Sequence, residues 1–204
     1  MPSLWAGTLD EHRSLVLGSL LDAFGDLVRE RGIEQTTLAA VAERAGIARS
    51  AVYNYVHDKH GLLLAHACRD IDIAAARLRE RMGPDLPPAD RLSRYVAASF
   101  EGFRSAAAAG DVMLALDREQ QKTLLAHLEP VRELLAVLIA DGLDDGTFAG
   151  GTAIELQEFV TAVIGGHRML LARSDADSQA LAARCTRLLL DGIGGGSEPT
   201  DPHT

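Results

Sequence analysis

The sequence contains very few cysteines. Cys68 and Cys185 are the only two in 204 residues, and they lie far apart in the chain. Two isolated thiols cannot build the disulfide framework of a small secreted domain. We therefore expect a reduced, cytoplasmic setting in which both cysteines are ordinary helix-packing residues.

Long hydrophobic runs are also missing. The longest unbroken apolar run covers residues 134–140, whereas about 20 apolar residues are needed to span a bilayer. The first ten residues do not pair a basic segment with an apolar one, so we expect no signal peptide. These absences predict a protein without a membrane partner.

Aromatic residues make up only 4% of the chain, which excludes a typical β-sandwich or β-barrel. In contrast, 32 alanines and 30 leucines favour helix throughout. The hydrophobic content of 47% is enough to bury a sizeable core. We predict an all-α protein with one large domain or two small ones.

The formal net charge of −9 argues against a protein that coats DNA by charge alone. Sequence-specific DNA binding depends on local charge and is not excluded. Between residues 29 and 59 there are five basic and four acidic residues, which predicts a weakly basic surface there.

The sequence lacks the motifs of common enzymes and metal sites. It has no nucleophile elbow, no glycine loop that could cradle a phosphate and no paired Cys/His arrangement. His57, His60 and His66 lie close in sequence but lack helical i, i+4 spacing, and no Cys or carboxylate completes a site. We therefore expect no enzymatic activity, no cofactor and no metal.

Helical periodicity, caps and breakers predict the order of the elements. Pro130 lies inside one of the segments and should kink or split it. The Gly- and Pro-rich end, 194–204, is predicted to be disordered. The predicted helices cover 9–31, 38–45, 49–55, 58–82, 89–109, 111–117, 118–143, 152–173 and 177–192.

Two short helices within 36–55 are separated by only three residues, Gly46-Ile47-Ala48. This arrangement is typical of a helix-turn-helix, in which the glycine supplies a positive φ. Neither helix is long enough to be stable alone, so both must pack on their neighbours. Ala48 cannot cap the second helix, which costs about 1 kcal/mol locally.

The stretch from Gly32 to Lys59 reads GIEQTTLAAVAERAGIARSAVYNYVHDK. It resembles the DNA-binding domain of the TetR (tetracycline repressor) family, without a gap, over about 45 residues. The matching features are a Gly, a Thr-Thr pair, an Ala-Gly-Ile turn, a Tyr-x-x-Val and a Lys three residues later. Val56 stands where the family has an aromatic residue. The resemblance implies an N-terminal three-helix helix-turn-helix domain (1–57) followed by a C-terminal helical ligand-binding and dimerisation domain (58–193).

The candidate DNA contacts lie on and around the second helix of this motif. Arg49 and Asn54 are suited to reading guanine and adenine edges, with Ser50 on the same exposed side. Thr37, Lys59 and the hydroxyls of Tyr53 and Tyr55 are placed for phosphate oxygens. Tyr55 could face either way.

The last two predicted helices have a broad apolar face, which is either ordinary core or, by the resemblance, half of a four-helix dimer interface. A helix-turn-helix that reads two half-sites also needs a dimer. We therefore predict a homodimer. The candidate interface residues are Leu156, Val160, Ile164, Leu171, Leu181, Leu188 and Leu189.

The resemblance also implies an effector pocket among the helices between about 65 and 172. Such pockets are mostly apolar with a few polar anchors. His167 is either a satisfied core histidine or a ligand contact. The candidates are Phe100, Phe103, Arg104, Met113, Leu116, His127, Leu128, Glu158, Phe159, Val163 and His167.

Two functions follow from this pattern. The first is a repressor whose dimer binds a double-stranded palindromic operator and is released by an unknown small-molecule effector. The alternative is a DNA-binding dimer without such an effector, whose C-terminal domain is a dimer scaffold or a protein-docking surface.

Overall fold

The computed structural model describes residues 3–83, 85–105, 109–171 and 177–194, with the backbone alone at 3–10, 102–105, 109–111 and 167–171. The predicted all-α class is confirmed, because these residues form helices and no strand beyond one isolated bridge between Phe148 and Gly194. The helices are α1 (Ser3–Gln35), α2 (Leu38–Arg44), α3 (Arg49–Val52), α4 (Lys59–Arg81), α5 (Pro88–Ser105), α6 (Ala109–Ala115), α7 (Arg118–His127), α8 (Glu129–Asp144), α9 (Ala153–Leu171) and α10 (Ser178–Ile193).

The predicted breaks fall where the sequence places them. Gly32 has a φ of 81°, which interrupts the regular helix near the end of α1. Pro130 lies in the first turn of α8, where a missing N–H costs nothing, so the segment 118–143 is split rather than kinked. The helix predicted over 49–55 is shorter, since regular helix ends at Val52 and turns continue to Tyr55.

The chain divides into two compact units. The first contains the described residues of 1–71 and 108–127, and the second contains those of 72–107 and 128–204. These compact units do not test the predicted boundary between functional domains at residue 57, which stays a prediction. Most of the predicted tail lies outside the described residues. No helix in the described ranges has both the length and the apolar composition needed to cross a membrane.

The first unit is built on the apolar stripe of α1. Leu20, Phe24 and Leu27 are buried there, as the periodicity predicts. The short helices α2 and α3 contribute Val41 and Val52, both fully buried, to the same cluster. Burying a side chain of this size contributes about 1.5–3 kcal/mol, which offsets the weak helical tendency of such short segments.

The second unit is a core of four helices, α5, α8, α9 and α10. A buried guanidinium accompanies its apolar residues: Nη1 of Arg91 on α5 donates to Oδ2 of Asp141 on α8 at 2.5 Å. Arg91 is almost fully buried, so the carboxylate supplies the charge that its burial requires.

Gly142 allows the ring of Phe148 to approach the backbone of α8 closely in the second unit. It lies on α8 beneath the ring of Phe148, and the Phe148 N–H donates to the Gly142 carbonyl at 2.7 Å. A Cβ built on Gly142 would lie 2.1 Å from Cδ2 of Phe148, which is fully buried and cannot move aside. Only glycine fits this position.

We predict that Gly142→Ala lowers the free energy of unfolding by about 1–3 kcal/mol, through overpacking against Phe148. In an open helical position the same change is expected to stabilise by up to about 1 kcal/mol. Gly192→Ala on α10 is the control, because a Cβ there would meet no atom of the described part of the chain within 4 Å. Urea denaturation of both variants measures the difference, and equal effects at the two sites would contradict the close approach.

His66 on α4 occupies a similar notch in the first unit, above Gly25 on α1. A Cβ at Gly25 would lie 2.6 Å from Cε1 of His66, whose ring meets Phe24 edge-on at 5.6 Å. Nε2 of His66 lies 3.4 Å from Oδ2 of Asp70. Burial lowers the pKa of His66 below its ordinary value of 6.5, and the Asp70 carboxylate only partly opposes this.

This lowered pKa predicts a stability that depends on pH. Because the unfolded histidine binds a proton more readily, the contribution of His66 is complete above about pH 6.5 and is lost as the pH falls below it. We expect His66→Gln to flatten the pH dependence of the free energy of unfolding between pH 5 and 7, measured by urea titration. An unchanged slope would show that other groups cause it.

Candidate nucleic-acid interface

The two helices of the motif are connected by a tight turn with its own hydrogen bonds. The Ile47 N–H donates to the Ala42 carbonyl at 2.9 Å, and Gly46 has a φ of 68°. The left-handed conformation explains why glycine stands at this turn. The predicted helix-turn-helix is thus formed by α2 and α3.

The recognition segment, which we define as 49–56, continues past α3 as turns. The Asn54 N–H donates to the Ala51 carbonyl at 3.0 Å, and the Val56 N–H donates to the Val52 carbonyl at 3.1 Å. Val52 and Val56 are buried, so the smaller residue at Val56 still packs inward. The opposite side is exposed and carries Arg49, Ser50, Tyr53 and Asn54.

The two tyrosines of the segment point in different directions. Tyr53 is 53% exposed, on the same side as the candidate base contacts. Tyr55 is half-buried against the core of the first unit, and the guanidinium of Arg13 lies 5.8 Å from the centre of its ring. Tyr53 is therefore the better placed of the two for a phosphate oxygen.

Thr37 and Lys59 begin the helices on either side of the recognition segment. Oγ1 of Thr37 accepts the Ala40 N–H at 3.3 Å, which caps α2 and leaves the exposed hydroxyl able to donate. Nζ of Lys59 donates to the Ile33 carbonyl at 3.3 Å, using one of its three N–H groups. Both groups keep a donor for a phosphate oxygen.

The start of α4 already holds a negative charge. Oδ1 of Asp58 accepts the Gly61 N–H at 2.7 Å, so this carboxylate caps the helix. A cap that carries negative charge occupies the position that a phosphate would otherwise take. Lys59 therefore remains the candidate phosphate donor at this end of the interface.

An ion pair that sequence reasoning missed joins α1 to α2. Nη1 and Nη2 of Arg44 donate to the two carboxylate oxygens of Glu30, each at 2.8 Å. The hydrogen bond from Arg44 lowers the pKa of Glu30. The two residues are separated by a kink and lie on different helices, so their spacing in the sequence does not predict the pair. Because this pair neutralises Arg44, the interface is less positive than its count of basic residues indicates.

The candidate pocket residues are divided between the two units. Met113, Leu116 and His127 belong to the first, where Leu116 is buried. In the second, Phe100 is buried, Leu128 and Val163 are half-buried, and Glu158 and Phe159 are exposed. The side chains of Phe103, Arg104 and His167 lie outside the described residues.

The second unit has a groove between α5 and the start of α10, with a volume of about 590 Å³. It opens to solvent, and none of the predicted pocket residues whose side chains the structure describes lines it. Its lining is small and polar, with the two carboxylates of Glu101 and Asp177. Both already have partners: Glu101 accepts from Arg81 at 2.6 Å, and Asp177 caps α10 by accepting from the Gln179 N–H at 2.9 Å.

The candidate dimer residues have mixed positions. Leu156, Val160, Ile164 and Leu189 are buried in the core of the second unit. Leu181 is half-buried, Leu188 is exposed, and the side chain of Leu171 lies outside the described residues. Periodicity missed Ile154, which is exposed on the surface of α9, as is Phe159. Their apolar character is the one sequence signal that could have identified these residues as candidates for the interface.

Comparison with known proteins supports the DNA-binding interpretation. Residues 20–66 match the family described as "Bacterial regulatory proteins, tetR family". The HTH-type transcriptional regulator BetI of Paraburkholderia xenovorans is 35% identical over 135 residues, which cover 63% of this chain and 68% of that protein. BetI of Burkholderia cenocepacia is 38% identical over 123 residues, covering 58% and 62%.

Two solved structures have the same fold. The regulator FadR of Bacillus subtilis, in complex with stearoyl-CoA, has a TM-score of 0.74 at 19% identity and covers 86% of this chain and 98% of its own. A transcriptional regulator of Saccharomonospora viridis, in complex with choline, has a TM-score of 0.76 at 17% identity, with coverage of 89% and 98%.

The named relatives are transcription regulators, and the family match includes the segment whose geometry is described above. The matched range takes in the end of α1, all of α2 and α3, and the start of α4. The chain therefore belongs to the TetR family of bacterial regulatory proteins and is a DNA-binding transcription regulator.

Proposed function

We propose that this protein is a homodimeric repressor that binds a palindromic operator and is released from it by a small-molecule effector. One observation carries the proposal. The recognition segment buries Val52 and Val56 and exposes Arg49 and Asn54 on its other side, where both side chains are free to reach base edges.

Phosphate contacts frame this segment. Thr37 precedes the segment by α2 and the turn at Gly46, Lys59 follows it at the start of α4, and both retain a donor. Phosphate contacts set register and orientation, whereas base contacts set sequence. With Arg44 neutralised by Glu30, we expect moderate non-specific affinity and a binding energy that depends on these placed groups.

The dimer is best supported by the exposed apolar side chains of α9 and α10. Ile154, Phe159 and Leu188 are 69%, 47% and 59% exposed. Gly165 and Gly166 are also exposed on α9, and a Cβ on either would meet no atom of the described residues within 4 Å. Exposed apolar residues beside glycines favour close packing of a second copy. We propose this surface as the interface, since the buried leucines are already covered.

The effector is supported by the similar structures, which hold choline in one case and stearoyl-CoA in the other. A ligand releases DNA only if it binds one conformer of the dimer more tightly than the other. The alternative, a regulator without an effector, is favoured by the dense packing of the second unit and by a groove that opens to solvent.

Selection from random duplexes at fixed ionic strength tests the DNA-binding proposal. We expect one palindrome whose half-sites lie about one helical turn, or a multiple of it, apart. Arg49→Ala and Asn54→Ala should each lower affinity by about 1–3 kcal/mol and relax selection at one base position per half-site. Arg77→Ala, at an exposed residue on α4 in the second unit, is the control. Recovery of no sequence from apo protein, or of a single half-site, would contradict the proposal.

The dimer surface has its own test. Leu188→Glu should place a charge in the interface, so we expect a shift from dimer to monomer in analytical ultracentrifugation and loss of tight operator binding. Leu125→Glu on α7 is the matched control, because Leu125 is 51% exposed in the other unit. A Leu188→Glu protein that stays dimeric would place the interface elsewhere.

The selected duplex then serves as the probe for effectors. Titration with choline and with stearoyl-CoA, followed by fluorescence anisotropy of the labelled duplex, compares the ligand chemistries of the two similar structures. Release by either compound supports the repressor proposal. Retention of the duplex with both, and with a wider library of small metabolites, supports the alternative.

A further inference from the structure

Arg13 continues the apolar stripe of α1 beyond the core of the first unit. Arg13, Leu17, Leu20 and Phe24 follow the spacing i, i+4, i+7 and i+11, which is one face of a helix. Leu20 and Phe24 are fully buried and Leu17 is half-buried. The next position along this face is thus a guanidinium rather than an apolar side chain.

That guanidinium meets the end of the recognition segment at two points. Nη2 of Arg13 donates to the Asn54 carbonyl at 3.4 Å, and the guanidinium carbon lies 5.8 Å from the ring centre of Tyr55. The hydrogen bond is long and the cation–π contact is at the edge of the usual range. Each is weak alone, but together they connect one rigid fork to two consecutive residues.

The recognition segment has few other restraints. Its regular helix, α3, has only four residues, and Ala48 gives it no side-chain cap. The carbonyl groups at the end of a helix lack partners within the helix, and a cation there is favourable. Arg13 supplies such a cation from α1, which is anchored by the buried stripe.

We propose that Arg13 is a positioning residue for sequence readout. It holds the backbone at Asn54 and the ring of Tyr55, so that the Asn54 side chain reaches the base edge in one orientation. The proposal assigns the Arg13 guanidinium to these two contacts rather than to a phosphate. This inference rests on the proposed function, because it assumes that the recognition segment reads bases.

A specificity measurement separates a positioning residue from a phosphate ligand. The test compares the affinity for the duplex recovered by selection with that for a scrambled duplex, at several salt concentrations. A phosphate ligand lowers both affinities and reduces the salt slope by about 1 when it is lost. A positioning residue lowers the ratio of the two affinities and leaves the slope unchanged.

We expect Arg13→Gln to lower that ratio by about three- to tenfold, as two weak contacts allow. Arg13→Lys should lower the ratio in the same way, because lysine keeps the charge but lacks the planar guanidinium. Arg29→Gln is the control: it removes the same charge from the same helix, where Arg29 pairs only locally with Asp26 at 2.5 Å. We expect the control to keep the ratio.

A double-mutant cycle adds a second readout. If Arg13 acts through the ring of Tyr55, then Tyr55→Leu should lower the ratio much less in the Arg13→Gln background than in the wild type. Thermal unfolding by circular dichroism is recorded for every variant. If Arg13→Gln unfolds at the assay temperature, Arg13→Lys alone decides.

The outcomes are distinct. A wild-type protein that prefers no duplex overturns the proposed function before Arg13 is tested. If Arg13→Gln leaves the wild-type preference unchanged, the inference about Arg13 is overturned and the proposed function stands. An equal loss on both duplexes with a smaller salt slope also overturns it, and makes Arg13 a phosphate ligand. Full recovery of the affinity ratio in Arg13→Lys also overturns the inference, because a charge alone would then be sufficient.

Discussion

The DNA-binding unit depends on the burial of two short helices against α1. With seven and four residues, α2 and α3 gain too little from their own hydrogen bonds to persist in water. Val41 and Val52 are therefore covered by the stripe that contains Leu20 and Phe24. The candidate DNA contacts of the recognition segment are therefore positioned by this packing on the inner side of the segment.

Several charged groups of the candidate interface already have partners within the chain. Arg44 is bound by Glu30 across two helices, Asp58 caps α4, and Arg13 is engaged with Asn54 and Tyr55. In a chain of net charge −9, such pairing limits non-specific attraction to the DNA backbone. Under the proposed function, affinity then depends on a few placed groups rather than on strong general attraction to the DNA backbone.

Local signals explain why the motif could be predicted. Gly46 at a positive φ and the missing cap at Ala48 each depend on a few neighbouring residues, and the structure agrees with both. The candidate pocket and dimer residues depend on which helix covers which face. The apolar face of α9 is broad enough to contact both the core and a partner, so periodicity alone could not separate Val160 from Phe159.

The sequence by itself determined the helical class, the turn between α2 and α3 and the split at Pro130, because propensity, glycine conformation and proline sterics act over a few residues. Tertiary structure alone decided that Tyr55 turns inward, that Glu30 neutralises Arg44 and that Gly142 accepts the ring of Phe148. Each of these contacts joins residues that helical spacing does not bring together, so only the packing of the elements could select them.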